Sequence, residues 1–355
     1  MADRADTVIA VAAISVPLSV LDLSPIPDGS TAADALRNSI DLVQHAERLG
    51  YTRYWVAEHH NHPGVACTSP PVLIAHLASA TTTIRVGAGG VMLPNHSSLV
   101  VAEQFGMLEG LHPGRIDLGL GRAPGTDQLT ATALRRAPLT AKDDFPEQFN
   151  DLIGYFEGTL PPDNPFHQVK ATSAVGNMPK IWMLGSSDYG AHAAALLSLP
   201  YSFAHHFAAD NTMLALSAYR SHFRPSDEMA KSYASIGVNV VCAPTDEEAD
   251  WLAGSGRLAT LRLRTGKPSA FPTPQAAANH PYTPMERQQI TAWTSAHVVG
   301  SPATVVTKLQ ELVDHTQVDE LIITTMLHDH AARVRSFALL AEAIGLSATS
   351  SRAAA

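Results

Sequence analysis

Near-continuous apolar runs recur along the chain at 7–16 (TVIAVAAISV), 52–59 (TRYWVAEH), 84–93 (IRVGAGGVML), 115–122 (RIDLGLGR), 180–187 (KIWMLGSS), 201–206 (YSFAHH), 234–243 (ASIGVNVVCA) and 318–326 (VDELIITTM). Unbroken apolarity, rather than alternation, marks parallel strands covered on the outside by helices. The segments between them carry apolar residues at helical spacing: 31–50, 69–82, 98–111, 187–199 and 301–316, with Gly50 placed as a C-cap. Eight such alternations predict a (β/α)8 TIM barrel. That architecture outranks a doubly wound sheet because no clean dinucleotide fingerprint opens the chain.

Two stretches exceed eight bare units. Residues 159–178, before the fifth strand, are polar and Pro-rich, and residues 265–297 separate the seventh strand from the eighth. Connections this long in a compact domain usually serve as lids or binding loops. One domain is expected over 1–345, followed by a frayed tail at 346–355.

Composition narrows the function classes. The chain has 355 residues, 45% of them hydrophobic and 16% charged, enough for a large soluble core. A net charge of −9, with no basic block, argues against a nucleic-acid or anionic-membrane surface. Two cysteines, Cys67 and Cys242, make no disulfide framework and fit a reducing cytoplasm. The apolar stretch from Val8 to Leu21 follows acidic residues and contains Pro17, so it reads as a buried strand rather than a signal peptide.

Three motifs carry candidate chemistry. The glycines of VGAGGVMLP (86–94) and LGLGRAPG (118–125) mark either close approach by a ligand or tight packing between elements. GSSDYG (185–190) runs from a strand into a helix, where Ser186 and Ser187 suit a phosphate or simply cap the helix, with Arg122 on the neighbouring strand as a cation. AEHHNHPG (57–64) places an acid and three histidines at the end of a strand. His60-Asn61-His62 has a metal-ligand form, yet the further ligands expected at later strand ends are missing, so no metal is assigned. His205 and His206 read as rim residues.

The segments WVAEHHN, VGAGGVMLP, HPGRIDLGLGRAPGTD and LGSSDYGAHAAALLSLPYSFAHHF, in this order and spacing, resemble the bacterial luciferase-like family of flavin-dependent monooxygenases. The resemblance runs from about Val8 to Leu340 and is greatest to the branch containing luciferase-like oxygenases of aromatic polyketide pathways. It implies the same barrel, working as a two-component monooxygenase. A separate NAD(P)H:flavin reductase would supply reduced FMN, and O2 would react through a flavin C4a-peroxide to oxygenate a small organic substrate. It also implies a cytoplasmic homodimer.

By the same resemblance His59 is the catalytic histidine, and Gly89 and Gly90 are joined by a cis peptide behind the flavin. Arg122, Gly185, Ser186 and Ser187 bind the phosphate, with Tyr189 and Gly190 close by. Strand alternation is expected to aim only one of His59 and His60 at the barrel axis, leaving His60 and Glu58 behind to hold the His59 ring. Gly121 stands where luciferase has a cysteine, so light emission does not carry over. AEHH leans toward FMN; a deazaflavin (F420)-dependent hydride-transfer enzyme and a non-catalytic flavin-binding protein are the alternatives.

Overall fold

The computed structural model describes residues 14–123, 125–135 and 144–347. The described residues form nine strands: β1 (Leu18–Asp22), β2 (Arg53–Val56), β3 (Arg85–Met92), β4 (Ile116–Gly121), β5 (Lys180–Gly185), β6 (Tyr201–Phe203), β7 (Ala234–Cys242), β8 (Val298–Gly300) and β9 (Glu320–Thr324). All pairings are parallel, in the order β6-β5-β4-β3-β2-β1-β9-β7, and β6 pairs with β7 to close the ring. The result is the expected (β/α)8 barrel. β8 stands outside the ring, paired with the last three residues of β7.

Two boundaries differ from the hydrophobic pattern. The strand expected over 7–16 begins in residues that lie outside the described ones, and the barrel's first strand starts after Pro17. Only beyond that proline, which has no N–H, can the chain bond on both edges: Leu18 pairs with Leu321 on one side, and Val20 with Tyr54 on the other. β8 is three residues long, too short to leave a hydrophobic signature.

The helices follow their caps. Ala32–Leu49 starts at a Thr31–Asp34 capping box and stops at Gly50, whose φ of 88° is the left-handed conformation a C-cap needs. The 265–297 segment holds two short helices, Pro274–Asn279 and Pro284–Trp293, each capped by a threonine with proline in the first turn. The expected tail falls outside the described residues from 348 onward.

The barrel interior is filled in layers. β2 and β5 are not neighbours, so the Trp55–Trp182 edge contact, 5.0 Å between centroids, passes through the barrel. Gly89 leaves room for it, since a Cβ there would sit 2.8 Å from the Trp55 ring, while Gly119 lets β4 pass β3 closely, a Cβ there falling 2.3 Å from the Ala88 carbonyl oxygen. Beneath the tryptophans lies a buried charge network. Arg53 donates to Asp117 and to Glu320, each at 2.7 Å, and both carboxylates are fully buried. Arg85, the Trp55 indole N–H, the Ser19 hydroxyl and the Tyr233 hydroxyl supply the remaining donors. Burial alone would raise the Asp117 pKa, but the charges of Arg53 and Arg85 overcome that and hold it below its ordinary value.

Removing one member of such a network leaves charge buried without compensation, at a cost of about 3–5 kcal/mol. Arg53→Met should therefore lower unfolding free energy by about that amount, read from urea denaturation at pH 7. A loss below about 1 kcal/mol, the level of an exposed ion pair, would show that the network does not hold the barrel floor.

Candidate active site

Every residue singled out in the sequence lies at the C-terminal end of the barrel or on the loops leaving it. His59 follows β2, Arg122 follows β4, and Gly185 ends β5. Ser186 and Ser187 lead into the helix Asp188–Leu196, with Tyr189 and Gly190 in its first turn. The Gly89–Gly90 peptide within β3 is cis, and the register against β4 shifts between Gly89 and Val91.

A cavity of about 1080 Å³ opens at this end. Its wall includes Asn239 and Val241 from β7 and Thr324 from β9, together with His59, His60 and His62. The 265–297 segment roofs it with Ser269, Phe271 and Trp293. Two main-chain hydrogen bonds of 2.8 Å tie that roof to the loop after β1: Phe271 N to Ile26 O, and Asp28 N to Phe271 O.

The phosphate candidates form a separate group at the rim. The Arg122 guanidinium carbon lies 3.9 Å from the Tyr189 ring centroid, which sets it beside the start of the helix Asp188–Leu196. Ser186 and Ser187 are exposed, and the Ser187 side chain makes no capping hydrogen bond, leaving main-chain N–H groups at the helix N-terminus. The Tyr201 hydroxyl donates to Ser187 O at 3.2 Å and fixes the turn. Arg122, Ser186 and Ser187 do not line the large cavity, whereas Gly125, Thr126 and Asp127 on the same loop as Arg122 do.

The three acid–histidine residues are arranged differently from the expectation. His59 and His60 both face the cavity, because β2 ends at Val56 and strand alternation no longer governs the residues beyond it. Glu58 is fully buried and does not brace His59. It shares a hydrogen bond with His60 Nε2 at 2.9 Å and accepts from His96 Nε2 at 2.9 Å, Met92 N at 3.0 Å and Asn95 Nδ2 at 3.3 Å. Burial raises the Glu58 pKa, but the His96 hydrogen bond and charge, the Met92 N–H and His60 together bring it below its ordinary value.

His59 keeps its main-chain N–H on Cys67 O, while its Nδ1 is buried with no partner. Burial, aided by His62, lowers its pKa to about 4. His59 is therefore a neutral imidazole at neutral pH, not a group that changes charge there.

Sequence reasoning undervalued two further residues. His206 and His297 line the same cavity, and the His297 ring is paired with the His206 backbone. Burial brings each to about 4. The sequence pattern places His206 at the rim, and no periodicity points to His297, which only the fold brings in from the end of the roof segment. A buried hydroxyl, Thr324 Oγ1, also faces this cavity without a partner. Among the described residues no group of three or more His, Cys, Asp or Glu side chains is placed to hold a metal ion.

Residues 16–320 match the luciferase-like monooxygenase family. The chain is 44% identical over 325 residues to a luciferase-like monooxygenase of Escherichia coli (strain K12), covering 92% of this chain and 96% of that one. It is 33% identical over 329 residues to the N-acetyl-S-alkylcysteine monooxygenase of Bacillus subtilis (strain 168), covering 92% and 98%. Among solved structures, apo-MsnO8 superposes with a TM-score of 0.84 at 38% identity, over 93% of this chain and 98% of that one. The fold alone is shared, at TM-score 0.68, with the FMN complex of a 3,6-diketocamphane monooxygenase component of Pseudomonas putida (17% identity; 93% and 98% covered) and with an F420-dependent secondary alcohol dehydrogenase (13% identity; 93% and 99% covered).

The depressed histidines make stability depend on pH with a definite sign. Unfolded imidazoles bind protons near pH 6.5, whereas folded His59, His206 and His297 bind them only near 4. Between those values the unfolded state holds more protons, so stability falls as pH falls through the window. The urea midpoint should therefore drop between pH 6.5 and 5, and His206→Asn should drop less steeply over the same range. An identical slope in the variant would mean that the His206 ring is solvated and titrates normally.

Proposed function

The chain belongs to the luciferase-like monooxygenase family, and from that premise we propose that it is an FMN-dependent, two-component monooxygenase acting on a small organic molecule. The observation that carries this reading is the pairing of two unlike environments at one barrel mouth. One is the cationic rim of Arg122 over Tyr189 beside an uncapped helix N-terminus; the other is a large cavity holding the neutral His59 imidazole.

The residues fit the cofactor. Arg122 and the N–H groups at Ser186 and Ser187 would hold the phosphate. Gly89 and Gly90 would lie behind the ring, and Gly185 and Gly190 let the phosphate-bearing helix pack close to β5. A cavity of about 1080 Å³ can accept a flavin ring together with a substrate. Reduced FMN, when bound, would supply the electrons that activate O2 for transfer of one oxygen atom to the substrate. A separate NAD(P)H:flavin reductase would provide that reduced cofactor.

His59 would contribute as a neutral imidazole, presenting its unpartnered Nδ1 to negative charge developing in the cavity. A neutral ring can serve this purpose because it donates a hydrogen bond without giving up a full charge. A homodimer in the cytoplasm completes the reading, supported by the exposed Val72, Met107 and Leu111 on two adjoining helices.

The test is direct: supply reduced FMN, ¹⁸O2 and candidate substrates, and look for one labelled atom in the product. Binding of F420 in preference to FMN, or FMN binding without oxygen transfer to any substrate, would contradict the reading. Arg122→Ala should weaken FMN binding by about ten- to a hundredfold, from the roughly 1.5–3 kcal/mol of a charge-assisted hydrogen bond, while riboflavin affinity barely changes. Equal effects on both ligands would remove Arg122 from the phosphate. His59→Ala should keep FMN affinity within a fewfold and lower turnover by about 10²–10³, as for loss of one preorganised donor. Wild-type turnover in that variant would exclude His59 from the chemistry.

A further inference from the structure

Glu58 is the most heavily hydrogen-bonded buried acid at the barrel mouth, and the role given to His59 leaves it unused. Two imidazoles share its carboxylate: His60 Nε2 lies 2.9 Å from Oε1, and His96 Nε2 lies 2.9 Å from Oε1 and 3.0 Å from Oε2. The two rings differ in what lies beyond them. His60 lines the cavity and its side chain is 13% exposed, whereas His96 follows β3 and its side chain is 30% exposed. The carboxylate therefore joins a ring facing the cavity to a ring in contact with solvent.

We propose that His96, Glu58 and His60 form a proton path from solvent into the cavity, entering it at His60. The path rests on the monooxygenase reading for its purpose, since oxygen transfer consumes protons that a roofed cavity must import. Each step balances. His96 takes a proton from water at Nδ1 and passes its Nε2 proton to Glu58. His60 enters the step as its Nδ1–H tautomer, with Nε2 accepting from Glu58. Glu58 passes the proton to Nε2 as His60 releases its Nδ1 proton to an acceptor bound in the cavity, and rotation of both rings restores the starting tautomers. His60 is then the group that meets the acceptor; Glu58 and His96 act through it.

The surroundings favour this route over one through His59. His59 has no carboxylate partner and its Nδ1 is unpaired, so a proton placed there has nowhere to go but the cavity. The other groups around the path do not compete for its proton. Cys67 beside Glu58 is a thiol whose pKa burial pushes up to about 12. The Asp127 carboxylate near His60 is engaged by Asn61 and by Thr130. Thr126 donates to the His60 carbonyl oxygen, and Asn95 and the Met92 N–H fix the carboxylate from the β3 side. His62 accepts from Gly64 N and stays within its own turn.

The experiment reads the path without any cofactor. In the full-length protein, the ring C–H signals of His60 and His96 are followed by NMR against pH, in wild type, His96→Asn and Glu58→Gln. Rings joined through one carboxylate respond as a pair, so His96→Asn should alter the pH dependence of the His60 signals, and Glu58→Gln should alter both. In turnover, His96→Asn should lower the rate about tenfold near pH 7 with little change in KM, and added imidazole should restore part of it. His96→Asn preserves shape and leaves Glu58 in place, so it tests the path even if the Glu58 variant does not fold.

Independent titration of the two rings, or full turnover in His96→Asn at every pH, would overturn the proposal. A coupled titration in a protein that fails to bind FMN would uphold the path and sink the oxygenase reading instead.

Discussion

The barrel depends on how it disposes of charge at its N-terminal end. Arg53 reaches across the interior to acidic residues on two strands that are not its neighbours, Asp117 on β4 and Glu320 on β9. A ring of eight parallel strands has no edge, so its interior must be filled by side chains alone. Here the lowest layer is ionic, and the layer above is the Trp55–Trp182 pair resting on it, with Arg53 4.7 Å from the Trp182 ring centroid. Because a buried charge is tolerated only when fully paired, this layer specifies which strands face one another as well as filling space.

At the opposite end, desolvation rather than pairing sets the charge of the cavity's imidazoles. The imidazoles of His59, His206 and His297 all remain uncharged at neutral pH for one physical reason, loss of water. The cavity wall thus sets these neutral imidazoles beside charged side chains, among them Asp127, Lys308 and the Asp250–Arg257 ion pair. Glu58 with its two histidines lies to the side, between β2 and the end of β3. The same short sequence, Glu58-His59-His60, supplies both a desolvated neutral ring and a carboxylate-paired ring. Adjacent residues differ because the chain has left the strand and turns.

Much of the fold was legible because burial on both faces writes a strand as an unbroken apolar run. Seven of the ring's strands fell where such runs lie, and Thr31 and Gly50 announced the ends of a helix. β1 was displaced because apolarity continues through Pro17, and hydrophobic pattern alone does not say which side of a proline can pair on both edges. The Thr-Pro-Met-Glu capping box at Thr283–Glu286 was a readable helix signal hidden in a segment taken for a loop. Chemistry at the site was legible as residue types at strand ends. Its electrostatics were not: that Glu58 serves His60 and His96, and that His297 joins His206, depends on segments far apart in sequence meeting at the mouth.

The order of strands around the ring has a consequence for whatever occupies the mouth. β4 lies diametrically opposite β9, so Arg122, which follows β4, and the unpartnered Thr324 hydroxyl, which ends β9, stand on opposite sides of the ring. β7 rises beyond β9 and carries β8, which makes the wall taller on the cavity side than at the Arg122 side. An occupant spanning the opening would meet a guanidinium at the low bank and an uncharged hydroxyl at the high one, so the two banks offer unlike chemistry by virtue of strand order alone.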